Sequence, residues 1–283
     1  MQTNVHPAMA DVSKRSIQLH YDLATTFYRL LWGPHIHHGL WESTEEDNPR
    51  EAQLKLTNHL ATLAEIGSGM NVLDVGCGMG GSSIHLAKTY QCQVTGITLS
   101  PVQAAWARAA SWWSGAAKRT TFFRQDAEAA SFPSESFDVL WSIECTEHLF
   151  DKAAFFQRAS QWLKPGGRLA ICAWLAAEPP RSPQAEELVT QVCEGFLCPS
   201  LGTASEYQSW FANAGLTNLK FEDLTHRVLQ TWEICKRRVN RTGVRYLAPI
   251  AGQDMNQFVK DFETILSAYR EGAMQYGCFL ARK

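Results

Sequence analysis

An apolar run that ends in closely spaced glycines, NVLDVGCGMGG at 71–81, constrains this chain more than any other stretch. Continuous rather than alternating apolar residues mark a strand buried on both faces, the habit of a parallel sheet covered by helices. The glycines that follow allow a tight turn into a helix whose N-terminus can approach a polar or anionic ligand. The same unit recurs downstream. Residues 81–90 read as a helix, CQVTGITL (92–99) as a second strand, RTTFFRQD (119–126) as a third and FDVLWSIE (137–144) as a fourth. Residues 152–163 read as a helix stopped by Pro165-Gly166-Gly167, and GRLAICAWL (167–175) as a fifth strand. Ser100, Pro101 and Gln103 predict a capping box at the start of the helix after the second strand. Strand–helix alternation of this kind builds an open α/β sheet with helices on both faces.

Beyond 178 the pattern changes. EPPRSP (178–183) reads as a linker and 184–197 as a helix; Thr203 with Glu206 forms a second capping box, opening a helix that stops near Gly215. LTNLKFEDLT (216–225) has strand periodicity, 226–240 and 254–270 helical periodicity, and AMQYGCFLAR (273–282) closes the chain as a strand. Ahead of the sheet, 11–32 and 50–66 read as helices joined by WGPHIHHGLWES. The expected organisation is a helical N-terminal arm (1–66) and one domain (67–283) with substrate-covering helical segments at about 178–215 and 226–271.

A net charge of −2, from 26 basic and 28 acidic side chains, argues against nucleic acid as a partner. The longest apolar run, LAICAWLAA (169–177), falls short of the ~18 residues that span a bilayer, and the N-terminus shows no apolar secretory core. The eight cysteines form no C-x-x-C pair, and Cys172 and Cys278 sit in apolar runs where a reduced thiol packs as a small hydrophobe. A cytoplasmic, reducing location is expected.

Gly76, Gly78 and Gly81 satisfy G-x-G-x-x-G, so the glycines alone leave a dinucleotide and another adenosine cofactor both open. A phosphate-cradling P-loop is excluded, because Ser82 stands where its Lys is required. Asp74 discriminates further: a carboxylate inside a buried strand needs a donor, repels a pyrophosphate and attracts an ammonium. S-adenosylmethionine offers that ammonium and no phosphate. An alternative is that Asp74 only caps its own loop. Thr98 occupies the position where a nicotinamide-dinucleotide enzyme carries its ribose-binding acid, although Thr98, Ser100 and Gln103 can still bond hydroxyls. Asp126, ending the third strand, is placed to accept from an adenine amino group or to make ordinary turn bonds.

In order and spacing, LDVGCGMGGSS, GITLSPVQ, the RQDAE turn, FDVLWSIECTEHLFDK and LKPGGRLAIC resemble class I S-adenosylmethionine-dependent methyltransferases. GITLSPVQ with the W-S-I-E-x-x-E-H pattern is similar to the branch holding tocopherol-type methyltransferases, cyclopropane-fatty-acid synthases, and sterol and small-amine methyltransferases. The arm, HYDLATTFYRLLWGPHIHHGLWE (20–42), is closest to the tocopherol-like members. The resemblance implies a Rossmann-like open sheet of about seven strands, mostly parallel. It also implies S-adenosylmethionine as cofactor, with Asp74, Gly76 and Gly78 at its methionine end and Tyr21 as a cover. Thr98, Leu99 and Gln103 would lie at the ribose, Asp126 and Ala127 at the adenine, and Ile143 and Glu144 at the methyl group. Cyclopropane synthases pair a bicarbonate base with a cysteine in the arm; here the stretch reads His37-His38-Gly39-Leu40, which opposes cyclopropanation.

Methyl transfer asks a protein to align a nucleophile and to take its proton. Glu144 and His148 fall at the C-terminal edge of the sheet, where ligands of such folds bind; Glu144 is a candidate charge stabiliser and His148 a candidate base. Glu147 and His148 could instead only cap the next helix. His35, His37 and His38 form the densest histidine cluster, read as a lid with no completed metal-ligand set. Cys145 reads as inert. The expected activity is transfer of a methyl group to a small O, C or N acceptor with an apolar part. The alternatives are a nicotinamide-dependent oxidoreductase and a non-catalytic cofactor-binding module. His37, His38, Trp41, Trp210 and Trp232, with Trp32 and Phe196, are the candidate acceptor contacts. Trp106, Trp112, Trp113, Trp141, Trp162 and Trp174 are assigned to packing.

Overall fold

Residues 12–43, 45, 47–241 and 255–283 are described by the computed structural model. The sheet grows from β1 (Asn71–Val75), β2 (Gln93–Thr98), β3 (Thr120–Arg124), β4 (Phe137–Ile143) and β5 (Leu163–Ala176), joined by α3 (Gly81–Thr89), α4 (Pro101–Trp113) and α5 (Lys152–Trp162). It is completed by β6 (Thr217–Asp223) and β7 (Met274–Arg282) in the order β3-β2-β1-β4-β5-β7-β6. Strands β1 to β5 pair in parallel, and β7 lies antiparallel between β5 and β6. This is the mostly parallel, seven-stranded sheet expected.

The continuous apolar runs serve two cores at once. In β5, Ala170, Cys172, Trp174 and Ala176 join one cluster, while Leu169, Ile171, Ala173 and Leu175 join the other. The first cluster is covered by α2 (Pro49–Leu63), α3, α6 (Pro183–Gly195) and α10 (Met255–Arg270). The second is covered by α5 and α7 (Ala204–Asn213). The remaining helices are α1 (Lys14–Trp32), α8 (Thr225–Val228) and α9 (Gln230–Arg241). The stretch expected as one helix over 226–240 is thus two, and residues 242–254 lie outside the described residues.

Local details separate from expectation where a tertiary partner intervenes. Thr203 and Glu206 close a reciprocal capping box, but at Ser100 only half forms. The Ser100 hydroxyl oxygen accepts from the Gln103 N–H, whereas the Gln103 side-chain oxygen is taken by the Thr98 hydroxyl at 2.8 Å. Pro165-Gly166-Gly167 does not end a helix: α5 stops at Trp162 and the glycines lie inside β5. There Gly166 N–H donates to the Lys283 carbonyl and Lys283 N–H to the Gly167 carbonyl, both at 3.0 Å, so the C-terminal residue occupies the irregularity. Trp141 and Trp162 are buried as expected, but Trp106, Trp112 and Trp113 are 38%, 66% and 79% exposed on α4. An amphipathic helix over an edge strand leaves its outer aromatics in water.

The arm docks across the carboxyl edge of the sheet. From α1, Asp22 accepts from the Ser100 hydroxyl and Gln18 from Arg124 at 3.1 Å. From α2, the Gln53 amide donates to the His35 and His37 carbonyls at 2.8 and 3.1 Å, holding the histidine segment over the glycine loop. Among the described residues, no helix is long and apolar enough to cross a membrane.

Candidate active site

The turn after β1 is held shut by its neighbour strand: the N–H groups of Gly76 and Cys77 donate to the Ile97 carbonyl at 2.9 and 3.0 Å. Gly76 (φ +80°) and Gly78 (φ +52°) occupy the left-handed region that glycine tolerates. A Cβ on Gly78 would meet nothing within 4 Å, because that side of the loop opens into a cleft of about 810 Å³. Thr98, Leu99 and Gln103 line its floor, Asp126 and Ala127 one end, and Ile143, Glu144 and Tyr21 the other. The structure therefore gathers the residues expected around a cofactor, with one exception in detail. Asp74 lies outside the cleft, in a recess shared with Gly76, Gly78, Ile143 and the arm residues Pro34 to His37. Its carboxyl accepts from the Ser83 hydroxyl at 2.5 Å, and burial pushes it up to about 7. A buried carboxyl without a cation fits an ammonium group, and the open face of Gly78 fits a bulky ligand against the loop. S-adenosylmethionine has both. Asp126 is less free than expected, since Lys14 Nζ sits 2.5 Å from it and the Glu128 N–H donates to it at 2.9 Å.

A second chamber of about 560 Å³ adjoins the cleft, and the two share Tyr21, Ile36, Glu144 and His148. Glu144, just past β4, has a left-handed backbone (φ +53°), an uncommon state for a residue with a side chain and one that concentrates at functional sites. Its Oε1 accepts from the His38 backbone N–H at 2.7 Å, from His38 Nδ1 at 2.9 Å and from the Tyr276 hydroxyl at 2.7 Å. Burial opposes its ionisation, but His38, His37 and Tyr276 together outweigh that and hold the carboxyl below the usual range. His38 Nε2 in turn accepts from the Trp232 indole N–H at 2.5 Å. A chain of contacts thus runs from the late helices through the arm to the sheet edge.

His148 closes the other side. Its Nδ1 donates to the Leu197 carbonyl at 3.2 Å, leaving Nε2 to accept from the Tyr21 hydroxyl at 2.8 Å. Burial lowers its pKa to about 4, so the ring is neutral at physiological pH. Glu147, which the sequence placed only at a helix cap, lines the chamber; Oε1 accepts from the Trp174 backbone N–H at 2.5 Å, and burial pushes the carboxyl up to about 8. Its Oε2 and the Trp174 indole N–H are buried without a protein partner.

Phe196, Trp232, His37 and His38 line the chamber as expected. Two tryptophans do not. Trp41 is buried with Ala52 and Ile234 and donates to the Thr231 hydroxyl at 2.9 Å, a tie between arm and α9. Trp210 stacks on Phe156 beneath the opposite face of the sheet. Both are packing residues, because helix periodicity shows which face is apolar and not what covers it. The Trp32 side chain lies outside the described residues. Conversely Trp174, assigned to packing, reaches the chamber from the end of β5, and Tyr276, opposite it on β7, was not singled out. His35 and His37 bond each other at 3.3 Å and approach the Ser82 hydroxyl. Cys145 is only partly buried and lines the cleft, with desolvation pushing its thiol pKa up.

Comparison with known proteins agrees with this geometry. The mycolic acid cyclopropane synthetase family matches residues 9–276. The 27-O-demethylrifamycin SV methyltransferase of Amycolatopsis mediterranei (strain S699) is 30% identical over 268 residues, 93% of this chain and 95% of that one. A probable chloroplastic tocopherol O-methyltransferase of Oryza sativa subsp. japonica is 28% identical over 277 residues, covering 93% and 76%. Among solved structures, the [4+2]-cyclase SpnF superposes with a TM-score of 0.81 at 26% identity, covering 98% of each chain. The chain belongs to the mycolic acid cyclopropane synthetase family and is a small-molecule methyltransferase that uses S-adenosylmethionine.

Proposed function

We propose that the enzyme O-methylates an acceptor with an aromatic or otherwise apolar body and a hydroxyl, seated in the chamber between the arm and the late helices. The observation that carries this reading is the join of cleft and chamber at Glu144 and His148. A methyl group held in the cleft near Ile143 and Glu144 meets there an acceptor bounded by Trp174, Phe196 and Trp232. No Lys or Arg lines the chamber among the described residues, which disfavours a phosphorylated acceptor. The hydroxyl-methylating names of the two relatives point the same way.

S-adenosylmethionine supplies a methyl group already activated by its sulfonium. The chain's contribution is to hold Asp74 against the ammonium, Thr98 and Gln103 against the ribose, and Asp126 and Ala127 against the adenine. The O–CH3 bond would form as the donor's S–CH3 bond breaks, leaving S-adenosylhomocysteine, and the acceptor's hydroxyl proton would pass to His148 Nε2 once the Tyr21 hydroxyl, which now bonds that lone pair, gives it up. Glu144 fixes His38 and stabilises the positive charge of the methyl donor. We further propose a reducing, cytoplasmic compartment; the eight free thiols, seven of them buried, support it.

A panel of phenols, prenylated hydroquinones and hydroxylated macrocycles, followed by mass spectrometry, tests the reading. One added CH2 on oxygen is expected; methylation of glycine-type amines alone, or an isomerised product of unchanged mass, overturns it. His148→Gln is expected to lower kcat about 100-fold or more with S-adenosylhomocysteine affinity nearly unchanged. Calorimetric titration and turnover of the same variant check this.

Asp74 gives a pH signature. Its carboxyl titrates near 7 in the empty site, and a ligand ammonium favours the ionised form. S-adenosylhomocysteine affinity is therefore expected to fall as pH drops below 7, approaching a factor of about ten per unit, and to level off above it. Asp74→Asn is expected to bind weakly with a flat profile. A wild-type profile that is flat between pH 5 and 8 would remove Asp74 from the ammonium site.

A further inference from the structure

The methyl-transfer site leaves one group of ligating side chains unused. His59 on α2, Glu222 on β6 and Cys278 on β7 each present a ligand atom, and the three atoms lie within 4.8 Å of one another. His59 Nε2 and Glu222 Oε2 are 2.7 Å apart, while Cys278 is buried beneath them. They come from three elements, at positions far apart in sequence, which explains why no spacing motif announces them.

We propose that His59, Glu222 and Cys278 form a binding site for a divalent cation of zinc's coordination chemistry, using one nitrogen, one carboxylate oxygen and one thiolate with water in the fourth position. A tetrahedral zinc site places such ligand atoms roughly 3.3–3.6 Å apart, so closure asks only about 1 Å of side-chain movement. The two anionic ligands match a dication, and the mixed nitrogen–sulfur–oxygen set is one zinc accepts. His59 and Glu222 are half-exposed, with side-chain exposures of 27% and 40%, so an ion can reach the buried sulfur from solvent.

Cys172 supports the site without joining it. It is the cross-strand partner of Cys278 on β5. The Cys172 thiol bonds the Cys278 sulfur. The second sulfur thus plays the orienting part that outer partners play in metal sites. Because α2 belongs to the arm, a bound ion would pin the arm to the far side of the sheet. This inference does not depend on the acceptor assigned above.

The test is titration of the chelator-treated full-length protein with Co2+, followed by optical spectroscopy. A near-ultraviolet thiolate-to-cobalt band saturating at one equivalent, with the visible bands of four-coordinate cobalt, is expected, and Zn2+ should displace both. Cys278→Ser should abolish the band, His59→Ala should weaken binding at least about tenfold, and Cys172→Ser should keep the band. S-adenosylhomocysteine binding, measured on every variant, reports that the fold survives. No saturating band, an unchanged band in Cys278→Ser, or unchanged affinity in His59→Ala overturns the proposal.

Discussion

Glu144→Ala is expected to abolish measurable turnover and to destabilise the fold by about 3–5 kcal/mol, the loss seen when one partner of a buried charged network is removed. The carboxylate accepts three bonds, two from His38 and one from Tyr276, at 2.7 to 2.9 Å, and all of these groups are buried. Alanine strands all three donors away from water, each at about 1–3 kcal/mol before relaxation. It also releases the arm segment at His38 from the end of β4, so both cavities lose a shared wall. Glu144→Gln keeps the shape and an acceptor oxygen, and a smaller loss of about 1–2 kcal/mol is expected. Its pH behaviour should differ as well. The native carboxyl is held below the ordinary range, so its contribution is present at neutral pH and is lost as pH falls through the lowered value. The glutamine variant should therefore show a shallower acid limb. Chemical denaturation between pH 3 and 7, beside turnover at neutral pH, measures both. Full stability in Glu144→Ala would show that His38 and Tyr276 find other partners.

Gly76→Val is expected to remove cofactor binding and cost several kcal/mol of stability. A Cβ at Gly76 would collide with the Cys145 Cβ and Sγ, and the backbone sits at φ +80°. Overpacking of this kind costs typically ~1–3 kcal/mol, and the left-handed conformation adds about 1–2 for a residue with a Cβ. The glycine loop and the chain after β4 must therefore separate, which shifts Glu144 and Gly78 together. A misplacement of about 1 Å at reacting groups is enough to cost roughly 100-fold in rate. Two comparisons identify the cause. In Gly76→Ala, adding Cys145→Gly should restore the part due to collision and leave the part due to φ. Gly78→Ala meets no neighbour, so its stability loss should be limited to the about 1–2 kcal/mol of its left-handed backbone while its methyl group still obstructs the cleft. S-adenosylhomocysteine titration and thermal unfolding separate these outcomes. Equal affinity in Gly76→Val and the native chain would mean that the loop does not hold the cofactor.

Most of the cleft's lining was legible in the sequence for a physical reason. Asp74, Gly76, Gly78, Thr98, Asp126 and Glu144 sit at or just past the carboxyl ends of strands, and Gln103 in the first turn of the helix after β2, where backbone groups are free to meet a ligand. Each lies within a local strand–turn–helix unit, so its place follows from residues beside it in the chain. The same locality explains the successful strand and helix assignments. The failures have two causes: at Ser100 the Gln103 side chain is taken by Thr98 from within the same unit, a competition the capping pattern does not register, and at Pro165 to Gly167 Lys283 arrives from far along the chain.

The acceptor half was not legible in this way. Tyr21, His38, Glu147, Trp174 and Trp232 come from the arm, the sheet edge and the late helices, and only packing makes them neighbours. Trp41 and Trp174 show the limit: both are aromatic residues in apolar surroundings, yet one is tied to Thr231 and the other faces the chamber. What the sequence by itself determined was the sheet and the glycine turn, because those depend on short-range periodicity and local backbone geometry. Only the tertiary structure decided which side chains line the chamber, how Glu144 and His148 are held, and where His59, Glu222 and Cys278 converge, because burial and long-range contact are properties of the assembled fold.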